Sequence, residues 1–219
     1  MTIRKELREF GSAMLGMLVL IALCGLLYPL VITGIAQLAF PGNANGQKVY
    51  VHGKLVGSKS IGQNFGLPVY KNGKPVTSDG NPVTAPDPRY FQTRPSGTTP
   101  ADNAAGSSFA NYGPNSTVTE KAIASNIAAY ISLNGKYYPG GLTAAKVPVD
   151  AADTSASGID PDISVANARI QAYRIAAVRH LSRAKVDSLI AKYTSGRGLG
   201  FSGEPAVNVL ELNLALDRL

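Results

Sequence analysis

Charge is missing from one long stretch of this chain: between Glu9 and Lys48, 38 consecutive residues carry no charged side chain. Most of the apolar density in that stretch lies between Phe10 and Phe40. A helix needs about 20 apolar residues to cross a bilayer core of roughly 30 Å, and Phe10 to Phe40 supplies 31. Cysteine is nearly absent as well. The single cysteine, Cys24, lies in the same stretch, so no disulfide can form within one chain and the remainder must be held by packing alone. Only two histidines occur, His52 and His180, far apart and without acidic or cysteine neighbours, which excludes a zinc site of ordinary ligand spacing. GxSxG and P-loop motifs are missing too. Serine is plentiful, but nothing marks a base and its orienting partner. These absences leave no residue set with which the chain would catalyse a reaction by itself.

The uncharged run predicts a transmembrane helix over residues 10–40. A secretory signal peptide also begins basic and turns apolar, but its apolar core is about 7–15 residues long, and the small-residue sequence Gly34-Ile35-Ala36 lies near the far end of a run twice that length. Arg4, Lys5 and Arg8 precede the span, whereas Lys48 is the first basic residue after it. By the positive-inside rule, residues 1–9 form a cytoplasmic N-terminus and residues 41–219 face outward. Tyr28-Pro29 falls in the middle, where proline removes a backbone donor and tends to kink a helix. Gly11, Gly16, Gly25 and Gly34 would let a second helix approach closely, although glycine is common in membrane helices in any case. Residues 41–219 hold 18 Lys and Arg against 12 Asp and Glu, a net charge of +6. The excess is spread, with no run of five basic residues, so nucleic acid is not an expected partner.

Along the outer part, Val49-Tyr50-Val51 and Leu55-Val56 flank Gly53 as a small hairpin or edge strand. Residues 66–116 are dense in Gly, Pro, Ser, Thr, Asn and Asp, and read as a loop region, either mobile or functional, with Arg89-Tyr90-Phe91-Gln92 as an aromatic island. Thr117 and Glu120 have capping-box spacing, followed by a stripe of Ile123, Ile127, Tyr130 and Ile131 that Gly135 can end. Ser164 caps a helix whose stripe is Val165, Ala168, Ala172, Ile175 and Ala176. Ser182 caps another with Val186, Leu189, Ile190 and Tyr193. At the C-terminus a strand runs into Val207 and a helix starts near Val209, with Asn208 and Glu211 at capping-box spacing. Asp150, Asp153, Asp160 and Asp162 do not match a calcium loop and read as a solvated loop, with Asp160-Pro161 opening the next helix. The fold class is therefore an α+β extracytoplasmic domain on a single N-terminal transmembrane helix.

Several segments carry a resemblance. They are Tyr28-Pro29-Leu30, then Ser60-Ile61-Gly62-Gln63-Asn64-Phe65, then Tyr90-Phe91-Gln92-Thr93-Arg94-Pro95-Ser96-Gly97-Thr98. Ser155-Ala156-Ser157-Gly158-Ile159-Asp160-Pro161-Asp162-Ile163-Ser164 follows, and the chain closes with residues 203–217, which contain Asn208, Glu211 and Asn213. Their order and spacing resemble the C subunit of the bacterial Kdp potassium-transporting ATPase, from the anchor to the last residue.

The resemblance implies a non-catalytic accessory subunit of the bacterial inner membrane, needed for assembly or regulation of an ATP-driven potassium uptake pump. It implies three partners: a channel-like potassium-binding subunit, a P-type ATPase subunit and a small membrane peptide. No cofactor is expected on this chain itself. ATP and Mg act at the ATPase subunit, and potassium is the transported ion. The family is also described as raising the ATP affinity of the pump, a role at odds with the orientation read from Arg4, Lys5 and Arg8. The candidate structural or interface residues are Tyr28, Pro29, Gln63, Asn64, Phe65, Tyr90, Phe91, Arg94, Pro95, Ser96, Asn208, Glu211 and Asn213. Arg94, biased toward extended backbone by Pro95, would pair with a carboxylate on the potassium-binding subunit or on its own domain, or bond to loop carbonyls. The chain departs from the family at Gly97 and at Ala105-Gly106-Ser107-Ser108-Phe109-Ala110-Asn111, which lacks the paired glycines of a nucleotide-binding signature. Residues 69–88 read as an insertion. The alternative from another class is a free-standing, membrane-anchored envelope binding protein or enzyme.

Overall fold

In a computed structural model, which describes residues 3–107, 112–113 and 115–219, the chain divides into two compact units at Lys48. The first unit is helical. α1 (Ile3–Ile21) runs into a π-helical stretch, Ala22–Leu27, and continues as α2 (Tyr28–Ala39). Over Ile3–Ala39 this is a helix long and apolar enough to cross a membrane. Pro29 does not interrupt it at Tyr28-Pro29. Proline lacks an N–H and its ring collides with the carbonyl four residues back, here Gly25. The preceding turn widens instead, so that Tyr28 N–H donates to Leu23, five residues earlier. A short α3 (Pro41–Ala44) follows, and Asn45 Nδ2 returns to Gln37 Oε1 at 2.9 Å.

The second unit begins with the expected hairpin, β1 (Lys48–Val51) and β2 (Lys54–Ser58). His52 and Gly53 both have positive φ, 49° and 76°, the geometry of a tight I′ turn.

Much of the stretch read as loop, residues 66–116, is ordered β structure. β3 (Gly66–Pro68) pairs with β8 (Thr84–Pro86) as a stem. Two arms branch from it: β4 (Tyr70–Lys71) with β5 (Lys74–Pro75), and β6 (Thr77–Ser78) with β7 (Asn81–Pro82). Asn72-Gly73 and Asp79-Gly80 turn the arms with both φ values positive. Where the three hairpins meet, Val69 N–H donates to Val83, Val83 to Val76 and Val76 to Val69, at 2.8–2.9 Å. This closed ring is written in the sequence as Pro-Val at a seven-residue period: Pro68-Val69, Pro75-Val76 and Pro82-Val83. Between Asp87 and Ser116, neither helix nor strand occurs among the described residues.

α4 (Thr117–Asn134) is capped by Ser116, one residue before the expected Thr117; its side chain accepts from Thr119 N–H. Gly135 ends α4, but with right-handed φ, leading into a single 3₁₀ turn. After α5 (Val149–Ala152), two strands each feed directly into a helix: β9 (Asp162–Ser164) into α6 (Val165–Val178), and β11 (Ala206–Asn208) into α8 (Val209–Leu216). Between them lie α7 (Arg183–Lys192) and β10 (Thr194–Ser195). The antiparallel sheet order is β10-β11-β9, with Val207 opposite Ile163. The cap residues are those read from the sequence. Ser164 accepts from Asn167 N–H at 3.0 Å, Ser182 from Lys185 N–H at 3.3 Å and Asn208 from Glu211 N–H at 3.2 Å. The core gathers the apolar stripes of α6, α7 and α8 with Ile163, Val207 and Phe91. Wholly buried Ala168 and Ala172 leave α6 a small-residue face on which neighbouring elements pack closely.

The two arms project with nearly every residue exposed, so they contribute little to that core. Replacing residues 70–82 by Asn-Gly would join Val69 to Val83 as an ordinary hairpin. The thermal transition of the full chain in detergent should then move by no more than about 2 °C, as for surface changes worth about 0.5 kcal/mol; a larger drop would assign the arms a share in the fold.

Candidate functional site

After a turn in which Tyr90 N–H donates to Asp87 C=O at 3.2 Å, the segment Phe91–Ser96 runs past α6 and α8 without a partner strand, so its backbone polar groups need side-chain partners. Phe91 N–H donates to Asn213 Oδ1 and Asn213 Nδ2 donates back to Phe91 C=O, both at 2.9 Å. Gln171 does the same for Gln92: its Oε1 accepts from Gln92 N–H at 2.8 Å and its Nε2 donates to Gln92 C=O at 2.9 Å. Two amide side chains thus stand where a β-ladder would. Phe91, wholly buried, anchors the segment in the core. Tyr90 stacks near Phe65 at 5.7 Å, lies under the Arg179 guanidinium at 4.7 Å and bonds Asp217 through its hydroxyl at 3.1 Å. At the start of the turn Asp87 accepts from the Arg89 backbone and guanidinium, and these bonds hold its carboxyl below the usual range.

Arg94 turns inward to its own domain. Its Nη1 meets Asp160 Oδ2 at 3.3 Å and its Nη2 donates to Thr154 C=O at 3.0 Å, a carboxylate and a loop carbonyl of its own domain. Its buried Nε has no hydrogen-bond partner among the described residues. Ser96 Oγ lies 2.9 Å from Gly158 C=O and accepts from Asp102 N–H at 2.8 Å. Gly97 N–H reaches Gly158 C=O and Gly62 N–H reaches Ile159 C=O, which draws the segments 60–65, 90–98 and 155–164 into one joint. A Cβ on Gly62 would sit 2.9 Å from Asp160 O and 3.0 Å from Asp102 Oδ1, so the close approach requires glycine.

The remaining sequence-derived residues divide. Asn64 belongs to the same joint, accepting from Gly66 N–H at 2.8 Å and donating to Thr84 Oγ1 at 2.9 Å to hold the β3/β8 stem. Gln63 is half-buried, with Oε1 unpaired among the described residues. Pro95 lines a cleft of about 270 Å³ with Phe65, Arg94, Asp102 and residues of α4. Asn208 and Glu211 form a second group, in which Asn208 Nδ2 donates to Lys59 C=O and Asp162 Oδ1, and Glu211 pairs with Lys59. Tyr28 and Pro29 lie in the helical unit, exposed.

The acidic residues expected in a solvated loop are structural acceptors instead. Asp150 accepts from Ser164 N–H, Ser164 Oγ and Asn167 Nδ2 at 2.8–2.9 Å, placing negative charge at the N-terminus of α6. Among the described residues no cluster of three His, Cys, Asp or Glu side chains could hold a metal ion. His52 and His180 both occupy left-handed backbone positions, φ 49° and 55°, a conformation that histidine adopts more readily than most residues. Of the stretch Ala105–Asn111, residues 108–111 lie outside the described residues.

Sequence reasoning missed Arg174, Gln171 and Asn134. Arg174 is wholly buried. Its guanidinium donates to Asn134 Oδ1 at 3.0 Å, Gln171 Oε1 at 2.8 Å, Tyr90 C=O at 2.9 Å and Pro88 C=O, and burial lowers its pKa to about 10. The available signal was position: Asn167, Gln171 and Arg174 recur at helical spacing beside the apolar stripe of α6, a polar line where a buried face was expected.

Substitutions at two positions test this joint. Arg94→Ala removes charged hydrogen bonds worth about 1.5–3 kcal/mol. The full chain should melt about 4–10 °C lower, and Arg94→Lys should restore little because one ammonium cannot reproduce the fork. Asp102 has its carboxyl pKa raised by burial and sits at φ 55°. Above that raised pKa the buried charge costs stability, and below the unfolded value the cost is gone. Asp102→Asn should therefore raise the melting temperature at pH 7.5, and part of that gain should disappear as the pH approaches 3.8. The part that persists reports the left-handed preference of asparagine; a gain wholly independent of pH would show that burial of the charge carries no cost.

Comparison with known proteins finds relatives that match nearly the whole chain. The family model KdpC, "K+-transporting ATPase, c chain", matches residues 10–218. The chain is similar to proteins named Potassium-transporting ATPase KdpC subunit from several bacteria. It is 43% identical over 214 residues to that of Methylococcus capsulatus (strain Bath), covering 97% of this chain and 99% of the relative. For Mycobacterium tuberculosis (strain H37Rv) the figures are 42% over 212 residues, 97% and 99%, and for Methylobacterium nodulans 46% over 198 residues, with 90% of each covered. A full-length match of this kind, on a chain with one apolar helix and an α+β domain, means that the chain belongs to the KdpC family, the c chain of the K+-transporting ATPase.

Proposed function

We propose that this chain is a non-catalytic accessory subunit of an ATP-driven potassium uptake pump, anchored by one transmembrane helix with its N-terminus in the cytoplasm and residues 41–219 outside. The observation that carries this reading is the family match over residues 10–218. Its partners are a channel-like potassium-binding subunit, a P-type ATPase subunit and a small membrane peptide. The character of the joint supports a structural role. Arg94, Ser96 and Asn213 spend polar groups on the chain's own backbone, as side chains that hold a fold together do. Orientation rests on Arg4, Lys5 and Arg8 before the apolar run and Lys48 as the first basic residue after it. In that orientation ATP and Mg act on the partner ATPase subunit, out of reach of the outer unit, and the effect of this chain on turnover passes through protein contacts.

The experiment combines assembly and topology. A tagged full chain should co-purify with a large multi-span partner and with potassium-stimulated ATPase activity. In a Cys24→Ser background, Ser107→Cys should react with a membrane-impermeant thiol reagent in intact spheroplasts. Recovery of the chain alone would favour a free-standing envelope protein, and labelling only after lysis would reverse the orientation and restore a direct nucleotide role.

A further inference from the structure

Between β10 and β11 the chain makes a tight finger whose tip is apolar. Gly198 and Ser202 exchange both backbone hydrogen bonds at 2.8 Å, and Phe201 N–H and Gly200 N–H close the turn onto Gly198 and Arg197 carbonyls. At the base, Arg197 Nη2 donates to both carboxylate oxygens of Glu204 at 2.8–2.9 Å. Leu199 at the tip is 91% exposed and Phe201 is 78% exposed. No other leucine or phenylalanine described in the second unit is so open to water.

The backbone makes this exposure informative. Among the described residues, the non-glycine positions with positive φ are filled by Asn, Asp, His and Gln, with Leu199 at φ 52° as the sole aliphatic one. Leucine has no local hydrogen bond with which to offset the left-handed conformation. Asparagine or glycine would suit this turn better and would be better hydrated. A strained backbone that holds two large apolar groups in water is a combination that folding alone does not favour.

We propose that Leu199 and Phe201 form a docking finger that inserts into an apolar pocket on a protein partner of the potassium pump, a proposal that rests on the accessory-subunit reading above. Three features select a protein pocket over the bilayer. The finger is small, two side chains on a cross-bonded turn, which matches a buried anchor of the kind that dominates protein interfaces, preorganised so that little freedom is lost on binding. Its base is self-neutralised by the Arg197–Glu204 pair, so it offers no net positive charge to anionic headgroups. Its turn backbone is irregular, and irregular backbone enters a hydrocarbon layer only where protein surrounds it.

The test uses the full chain, in detergent, titrated into pump complex prepared without it, with potassium-stimulated ATPase activity and co-elution as readouts. Wild type must bind first; if it does not, the accessory-subunit reading itself fails. Leu199→Asn relieves the backbone and removes the apolar group, so its melting temperature should hold or rise while affinity for the complex falls at least tenfold. Leu199→Asn with Phe201→Ser should lose on the order of thirtyfold or more. Equal affinity of wild type and the double variant overturns the proposal. A fluorophore on Ser202→Cys, in the Cys24→Ser background, separates the environments. A blue shift on adding the partner complex supports the protein pocket. A blue shift in vesicles holding this chain alone assigns the finger to lipid and overturns the proposal, as does the absence of a shift in either setting.

Discussion

Arg174 is sealed from water, and among the described residues its guanidinium is held by neutral acceptors only. Stripping a cation of its hydration costs several kcal/mol even after relaxation, and a deep interior repays that only when the donor hydrogens find acceptors of good geometry. Here the acceptors come from three directions: Asn134 at the end of α4, Gln171 one turn back on α6, and the carbonyls of Pro88 and Tyr90. The pKa, lowered by burial to about 10, still leaves the group charged at neutral pH. A charge so placed tolerates little displacement of any acceptor. The requirement fixes α4, α6 and the 88–92 segment together, and the aromatic pair Tyr90-Phe91 inherits its position from it.

The rest of the candidate site follows from the same economy of polar groups. Beyond the turn at Asp87–Tyr90 the segment up to Ser96 lies in no sheet, and buried backbone without partners is costly. Asn213 and Gln171 supply both a donor and an acceptor to successive residues, which only an amide side chain can do. Arg94 then ties the far end of the segment to Thr154 and Asp160, while Gly62, Gly97 and Gly158 let three backbones meet. The motif segments 60–65, 90–98 and 155–164, scattered in sequence, are in this sense one object, a joint of loops.

Legibility in the sequence tracked the range of the interaction. Ser164, Ser182 and Asn208 were identifiable as helix caps because a cap is a contact over three residues, decided by the side chain and its immediate successors. Ser116 took the cap expected at Thr117, a slip of one residue between two competent hydroxyls. The Asn72-Gly73 and Asp79-Gly80 hairpins went unread, although such pairs are a strong short-range turn signal. Proline density across residues 66–116 masked them, although Pro75 and Pro82 sit at strand ends where the missing N–H does no harm. Arg174 was not legible. Nothing in a helix that also carries Arg169 and Arg179 says which arginine faces inward, because that depends on acceptors 40 and 84 residues away.

The sequence by itself determined the one apolar helix, its basic flank, the strand-to-helix entries at Ser164 and Asn208, and the family. Each is a matter of composition or of neighbours along the chain, where a few residues settle the free energy locally. Only the tertiary structure decided that Asp150, Asp160 and Arg94 are internal fasteners, that three valines seven residues apart close a ring, and that Leu199 and Phe201 stand in water. Those outcomes depend on which groups are desolvated together. Desolvation is a property of the packed whole, in which the same arginine is solvated on one face and the keystone of the fold on another.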